Sequence, residues 1–226
     1  MNMIDALILG SLQGLTEFLP ISSSGHLVLG QRLLGLSLPG NFFVVLVHLG
    51  TLCSILVVFR KDILDLIRSI KSEETKKLIL ALIFGTLPAV IIGLTMKTEI
   101  DQLFSHPFAV SYSLIMTGIW LIMIKWFMNN NADITLKNGF LIGCAQAIAI
   151  IPGISRSGAT IGTAMLLGIS PEKAARFSFL LAIPVIAGAG LLTALDINPT
   201  HIANLSGESI LTAFMSSFLV GWVALT

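Results

Sequence analysis

Two opposite charges stand alone in apolar surroundings. Glu17 is the only formally charged residue between Asp5 and Arg32, and Arg156 the only one between Lys137 and Glu172. Each sits where an apolar run is broken by Pro, Ser and Gly: Gln13–Leu27 reads QGLTEFLPISSSGHL and Gln146–Thr160 reads QAIAIIPGISRSGAT. On a helix Gln13 and Glu17, four apart, share a face. They offer an amide and a carboxylate as oxygen ligands for a divalent cation, or a carboxylate for acid/base work; the plainer reading is that Glu17 pairs with Arg156 and ties the two segments together. Ser22, Ser23 and Ser24 follow Pro20, and Ser155 and Ser157 follow Pro152, with Thr160 just beyond. Serine-rich turns entering helices cap them, and they also form cradles for anions. Arg156 adds a planar fork of donors suited to phosphate oxygens. His26 could take a proton from a nucleophile such as Ser23, or attack by itself. Together these residues form a set suited to phosphoryl transfer.

His48, His106 and His201 lack such company and are expected to be interfacial or packing residues. Trp120, Trp126 and Trp222 read as interface anchors or lipid-facing packing, none entering the site. Cys53 and Cys144 lie in apolar segments and receive no role.

The elements that position these residues belong in a bilayer. The chain has 226 residues, 55% hydrophobic and 11% charged, with a mean hydropathy of +0.94, far from soluble composition. Charge-free windows recur at Asn41–Phe59, Leu78–Met96, Gln102–Ile124, Phe177–Leu195 and Ser209–Thr226, each near the roughly 20 residues that cross a bilayer. Five spans are therefore expected in an all-α polytopic membrane protein. The start, MNMID, lacks the basic flank of a secretory signal, so no cleaved peptide is expected. A net charge of +1 argues against nucleic acid as a partner.

Six of the thirteen basic residues fall between Arg60 and Lys77, which places that connection in the cytoplasm. Counting spans from it, the first broken segment enters from outside and the second from inside. At a constant offset, Gly10, Gln13, Ile21, Ser22, Ser24 and Gly25 fall on Gly143, Gln146, Ile154, Ser155, Ser157 and Gly158. This is the plan of inverted repeats, 1–128 and 137–226, within one membrane domain covering 1–226. Each repeat opens with a re-entrant helix–turn–helix at Met1–Gly30 or Asn138–Gly168, its tip near the midplane. Symmetry calls for a sixth span, which the second repeat does not contain. Broken helices in inverted repeats are also a transporter plan, so a transporter or flippase of a phosphorylated lipid or anion is the alternative to an enzyme.

The segments from Gln13 through Glu17 to His26, and from Pro152 to Thr160, resemble the bacitracin-resistance type of undecaprenyl-pyrophosphate phosphatase. The resemblance implies a bacterial inner-membrane enzyme that hydrolyses a C55 polyprenyl diphosphate to its monophosphate in cell-wall carrier recycling. By position it implies Gln13 and Glu17 as ligands of magnesium or calcium, with Glu17, Ser23 and His26 catalytic. Ser22, Ser155, Arg156, Ser157 and Thr160 would bind the diphosphate, in a cleft facing the periplasm. The lipid substrate and the bilayer are the expected partners, and a homodimer is left open.

Overall fold

The computed structural model describes residues 1–36, 38, 42–104, 106–124, 132–196 and 205–226; His201 and Trp126 lie outside them. Those residues form helices joined by turns: α1 Met3–Thr16, α2 Ser23–Leu33, α3 Phe42–Val58, α4 Arg60–Arg68, α5 Glu73–Thr95, α6 Lys97–Phe104, α7 Pro107–Ile124, α8 Leu136–Ile148, α9 Arg156–Leu166, α10 Pro171–Leu195 and α11 Gly207–Leu225.

The helices start where side chains can satisfy their free N–H groups. Asn2 and Asp5 form a reciprocal capping box on α1, and Ser72, Thr135 and Ser206 cap α5, α8 and α11. The four helices α5, α7, α10 and α11 are long and apolar enough to cross a membrane, and α3 with α4 makes a fifth when that pair, bent by 64°, is counted as one span. The protein is a multi-pass membrane protein. Two boundaries differ from the sequence reading. Gln102, Leu103 and Phe104 close α6, and α7 begins only at Pro107, which has no N–H to satisfy and suits a helix start. The basic connection between Arg60 and Lys77 is not a plain loop, because its first nine residues form α4.

The four helices flanking the two signature segments are too short to cross. At about 1.5 Å per residue they reach roughly 17–21 Å, with 14 and 11 residues in α1 and α2 and 13 and 11 in α8 and α9. Each pair forms a helix–turn–helix. α1 packs along α11 and α8 along α5, while α3 lies between α11 and α10. Where the backbones cross, no side chain fits. A Cβ on Gly10 would stand 2.0 Å from Ser216 Oγ and 2.4 Å from the Ala213 carbonyl, and one on Gly143 would stand 2.2 Å from the Gly85 carbonyl. Close approach through small residues is how helices associate where lipid removes the hydrophobic driving force. Outward faces carry exposed apolar side chains such as Ile91, Ile115, Leu191 and Val223, as lipid contact requires.

Three buried clusters sit behind the hairpins. One joins Leu9, Leu27, Phe43 and Val47, a second joins Ile142, Ala164, Phe177 and Leu181, and the third joins Phe18, Leu52, Ile55 and Ile186. The third contains Phe18, the residue after Glu17, and packs it against α3 and α10.

Gly143→Ala is expected to lower the unfolding temperature in detergent, by the ~1–3 kcal/mol typical of overpacking. Gly118→Ala, where a Cβ meets nothing within 4 Å, should leave it unchanged or raise it. Equal behaviour of the two variants in a thermal melt would show that the α8–α5 crossing is not tight.

Candidate active site

Helix α1 ends at Glu17, whose N–H donates to the Gln13 carbonyl at 2.9 Å. The chain then turns through Pro20 to Ser22, which has φ of 67°, the one positive value outside glycine among the described residues. A serine in this left-handed region is strained and persists only where its surroundings hold it. Ser22 Oγ accepts the Gly25 N–H at 3.3 Å and so caps α2. The second turn repeats this cap: Ser155 Oγ accepts the Gly158 N–H at 3.1 Å at the head of α9. The hydroxyls of Ser22 and Ser24 are 3.3 Å apart, and those of Ser155 and Ser157 are 3.2 Å apart.

The two turns are joined to each other. Ser157 Oγ donates to the Leu19 carbonyl at 2.9 Å, the Gly153 N–H donates to Ser24 Oγ at 3.4 Å, and Arg156 Nη2 makes an ion pair with Glu17 Oε1. The other carboxylate oxygen, Oε2, accepts Ser23 Oγ–H at 2.5 Å and Gln13 Nε2–H at 2.9 Å, and lies 3.3 Å from His48 Nε2. Both charges are screened from solvent, with Glu17 4% and Arg156 16% exposed. A buried carboxylate needs such partners, because an unpaired charge there would be very costly.

A cleft of about 230 Å³ opens onto this cluster. Its lining is part polar, with Glu17, Ser22, Ser23, Ser24, His48, Gln146, Ser155, Arg156 and Ser157, and part apolar, with Val44, Val45, Ile100, Phe104, Val185 and Ile186 among its residues. Two buried groups in the polar part lack a hydrogen-bond partner: Arg156 Nη1, a donor, and Gln146 Oε1, an acceptor.

Three residues singled out in the sequence stand away from the lining. Gln13 is fully buried behind Glu17. Thr160 donates to the Arg156 carbonyl at 2.8 Å and contacts Ser178 Oγ at 2.6 Å, so it braces the first turn of α9. The Nδ1 of His26 lies 2.8 Å from the Ser22 carbonyl, and Ser23 is paired with Glu17 rather than with His26.

Other residues enter from α3, α7 and α8. His48, read from the sequence as packing, instead contacts Glu17 and lines the cleft. An ionisable residue inside an uncharged span was the signal that could have found it. Trp120, read as an interface anchor or lipid-facing packing, donates its Nε1–H to the Gly158 carbonyl at 3.1 Å. Thr117, one turn earlier, donates to the Gly153 carbonyl at 2.9 Å and accepts the Ser155 N–H at 3.1 Å. Nothing in the local sequence marks these two.

The donor chemistry fits a hard divalent cation, which takes oxygen ligands. The Glu17 carboxylate and the Ser23 hydroxyl stand close to the buried and unpartnered Gln13 Oε1. Glu17 is at present surrounded by donors, so a cation would take the place of one of them. Among the described residues no three His, Cys, Asp or Glu side chains cluster as a metal site, and any cation would lean on amide and hydroxyl oxygens.

Residues 6–226 match the family described as Bacitracin resistance protein BacA. The chain is 42% identical over 238 residues to an "Undecaprenyl-diphosphatase" of Korarchaeum cryptofilum, covering 100% of this chain and 88% of that protein. It is 43% identical over 235 residues to a protein of the same name from Christiangramia forsetii, again at 100% and 88% coverage. To "Undecaprenyl-diphosphatase 2" of Bacillus thuringiensis it is 42% identical over 230 residues, covering 97% and 85%.

Thr117→Val removes both bonds to the second turn at constant size and leaves Gly153 O and Ser155 N–H without that partner. A loss of ~1–3 kcal/mol per unsatisfied buried group is expected. It would be read as a lower melting temperature, together with faster hydrogen exchange at residues 153–158; unchanged exchange there would deny α7 its supporting role.

Proposed function

The chain belongs to the bacitracin resistance protein family BacA, and from that premise we propose that it is an undecaprenyl-diphosphatase, a hydrolase that cleaves the terminal phosphoanhydride of a polyprenyl diphosphate. The observation that carries this reading is the meeting of Glu17, Ser23 and Arg156 in one cleft, with Arg156 Nη1 buried and without a partner. A phosphate oxygen is the acceptor that this donor lacks. First-turn N–H groups of α2 and α9 not taken by the Ser22 and Ser155 caps add donors of the kind that bind phosphate. The apolar part of the lining suits the isoprenyl tail, which reaches the cleft from the bilayer.

Ser23 is the nucleophile in this scheme. Its Oγ attacks the terminal phosphorus while its proton passes to Glu17 Oε2, to which it is already hydrogen-bonded. The bond from that phosphorus to the bridging oxygen breaks, and its electron pair leaves with the lipid monophosphate. Water then attacks the phosphoserine, and Glu17 returns the proton to the departing Ser23 oxygen, releasing inorganic phosphate. Arg156 holds the non-bridging oxygens as charge develops on them. Glu17 and Gln13 would hold a magnesium or calcium ion, which supplies neutralisation of the diphosphate charge. His26, through Ser22, steadies the strained turn that presents Ser23.

The packing supports the inverted-repeat reading. Pairing α1 with α8, α3 with α10 and α5 with α11 exchanges the α1–α11 contact for α8–α5, and α3–α11 for α10–α5. The ion pairs support a cleft on the periplasmic face of a bacterial inner membrane. Arg176 at the start of α10 pairs with Asp62 on the basic side, whereas Lys97 of α6 pairs with Asp196 at the far end of α10. Ile100 and Phe104 of that same α6 line the cleft. A homodimer is compatible with the exposed apolar faces, and the reaction does not require it.

Purified protein in detergent, given farnesyl or undecaprenyl diphosphate, is expected to release inorganic phosphate. Arg156→Ala should reduce the rate by ~10²–10³-fold, and quenching during turnover should trap phosphoserine at position 23, absent in Ser23→Ala. A trapped phosphohistidine would move the nucleophile to His26. Movement of lipid without hydrolysis would replace the enzyme with a transporter.

A further inference from the structure

We propose that His48 is a positioning residue for this reaction, holding the Glu17 carboxylate so that Oε2 faces the Ser23 hydroxyl. The inference deepens the hydrolase reading and rests on it.

The geometry fixes the imidazole ring at both ends. Its Nδ1 lies 2.7 Å from the Val44 carbonyl one turn back on α3. A backbone carbonyl only accepts, so Nδ1 carries a hydrogen. Its Nε2 lies 3.3 Å from Glu17 Oε2. The ring thus lies between two oxygens, and its orientation is set by the helix that carries it.

The oxygen it meets is the one that receives the Ser23 hydroxyl at 2.5 Å and Gln13 Nε2–H at 2.9 Å. Arg156 holds only the other oxygen, Oε1. Rotation of a carboxylate about its last torsion is soft, so a single ion pair does not fix where the second oxygen points. His48 supplies a contact to Oε2 from α3, whereas Arg156 reaches Oε1 from α9. Thr51, three residues on, strengthens the same edge of α3: its hydroxyl donates to the His48 carbonyl at 2.9 Å and lies 3.4 Å from Gln13 Nε2. Glu17, His48 and Arg156 are the only ionisable side chains lining the cleft among the described residues. A packing histidine would not need both nitrogens engaged and one face open to the cleft.

The test compares His48→Gln, His48→Asn and His48→Leu in the full chain, measuring phosphate release from farnesyl diphosphate. It also follows labelling of Ser23 by a fluorophosphonate probe, which reports the reactivity of that hydroxyl without lipid turnover. Glutamine Nε2 reaches about where His Nε2 stands, whereas the asparagine amide falls short of Glu17 and leucine has no donor. His48→Leu and His48→Asn are expected to lose ~10²-fold in kcat with KM within about threefold of wild type and with slower Ser23 labelling. His48→Gln is expected to recover both readouts to within about tenfold of wild type. Wild-type kcat and labelling in His48→Leu would overturn the proposal. So would equal losses in the glutamine and asparagine variants at unchanged melting temperature, or a raised KM with kcat intact. If the wild-type chain itself releases no phosphate, the hydrolase reading fails instead, and the labelling series alone still decides whether His48 orients Glu17 toward Ser23.

Discussion

A carboxylate and a guanidinium attract one another much more strongly inside an apolar protein than in water, and each is prohibitive there alone. Glu17 and Arg156 meet under that condition, from the ends of two hairpins 139 positions apart in the chain. The pair explains how two breaks in apolar helices can be buried against each other. It also explains the supporting bonds around it, since Ser157 to Leu19 and Gly153 to Ser24 only form when the turns are drawn together. Around this contact, the strained Ser22, the capping serines and the bracing Thr160 serve to hold two loops in register.

The same contact gives the cleft its character. Arg156 turns Nη2 to Glu17 and leaves Nη1 without a partner, so the site has a donor free for one more acceptor. Glu17 in turn is saturated with donors, Ser23 among them, which turns a structural charge into a base already touching its proton. The plainer reading of Glu17 as a tie between the segments holds in this arrangement, and the proposed chemistry would use the same atoms.

Much of this was legible in the chain because charge is so scarce there. Glu17 and Arg156 stood out as isolated charges, the serine turns stood out by their repetition, and Gly10 and Gly143, paired by the same offset, both lie where helices cross closely. What escaped the sequence reading was the support contributed by α3 and α7. His48 reaches Glu17 from α3, and Thr117 and Trp120 reach the second turn from α7; their neighbours in sequence are apolar and give no periodic hint of a polar target. Helix phase accounts for other differences. Four residues past Arg156, Thr160 lies where its hydroxyl meets the backbone behind it rather than the cleft. A proline likewise decided that Gln102 to Phe104 would form part of α6, which brings Ile100 and Phe104 to the apolar part of the lining.

The coupling between Glu17 and Arg156 can be measured with a double-mutant cycle of Glu17→Gln, Arg156→Met and both together, reading stability in detergent by thermal unfolding. Each single change removes the opposite charge from the partner that remains buried, so the double variant should be less damaged than the sum of the singles by about 1 kcal/mol or more. Strictly additive losses would mean that the two side chains do not meet, and the cleft described between the hairpins would not exist.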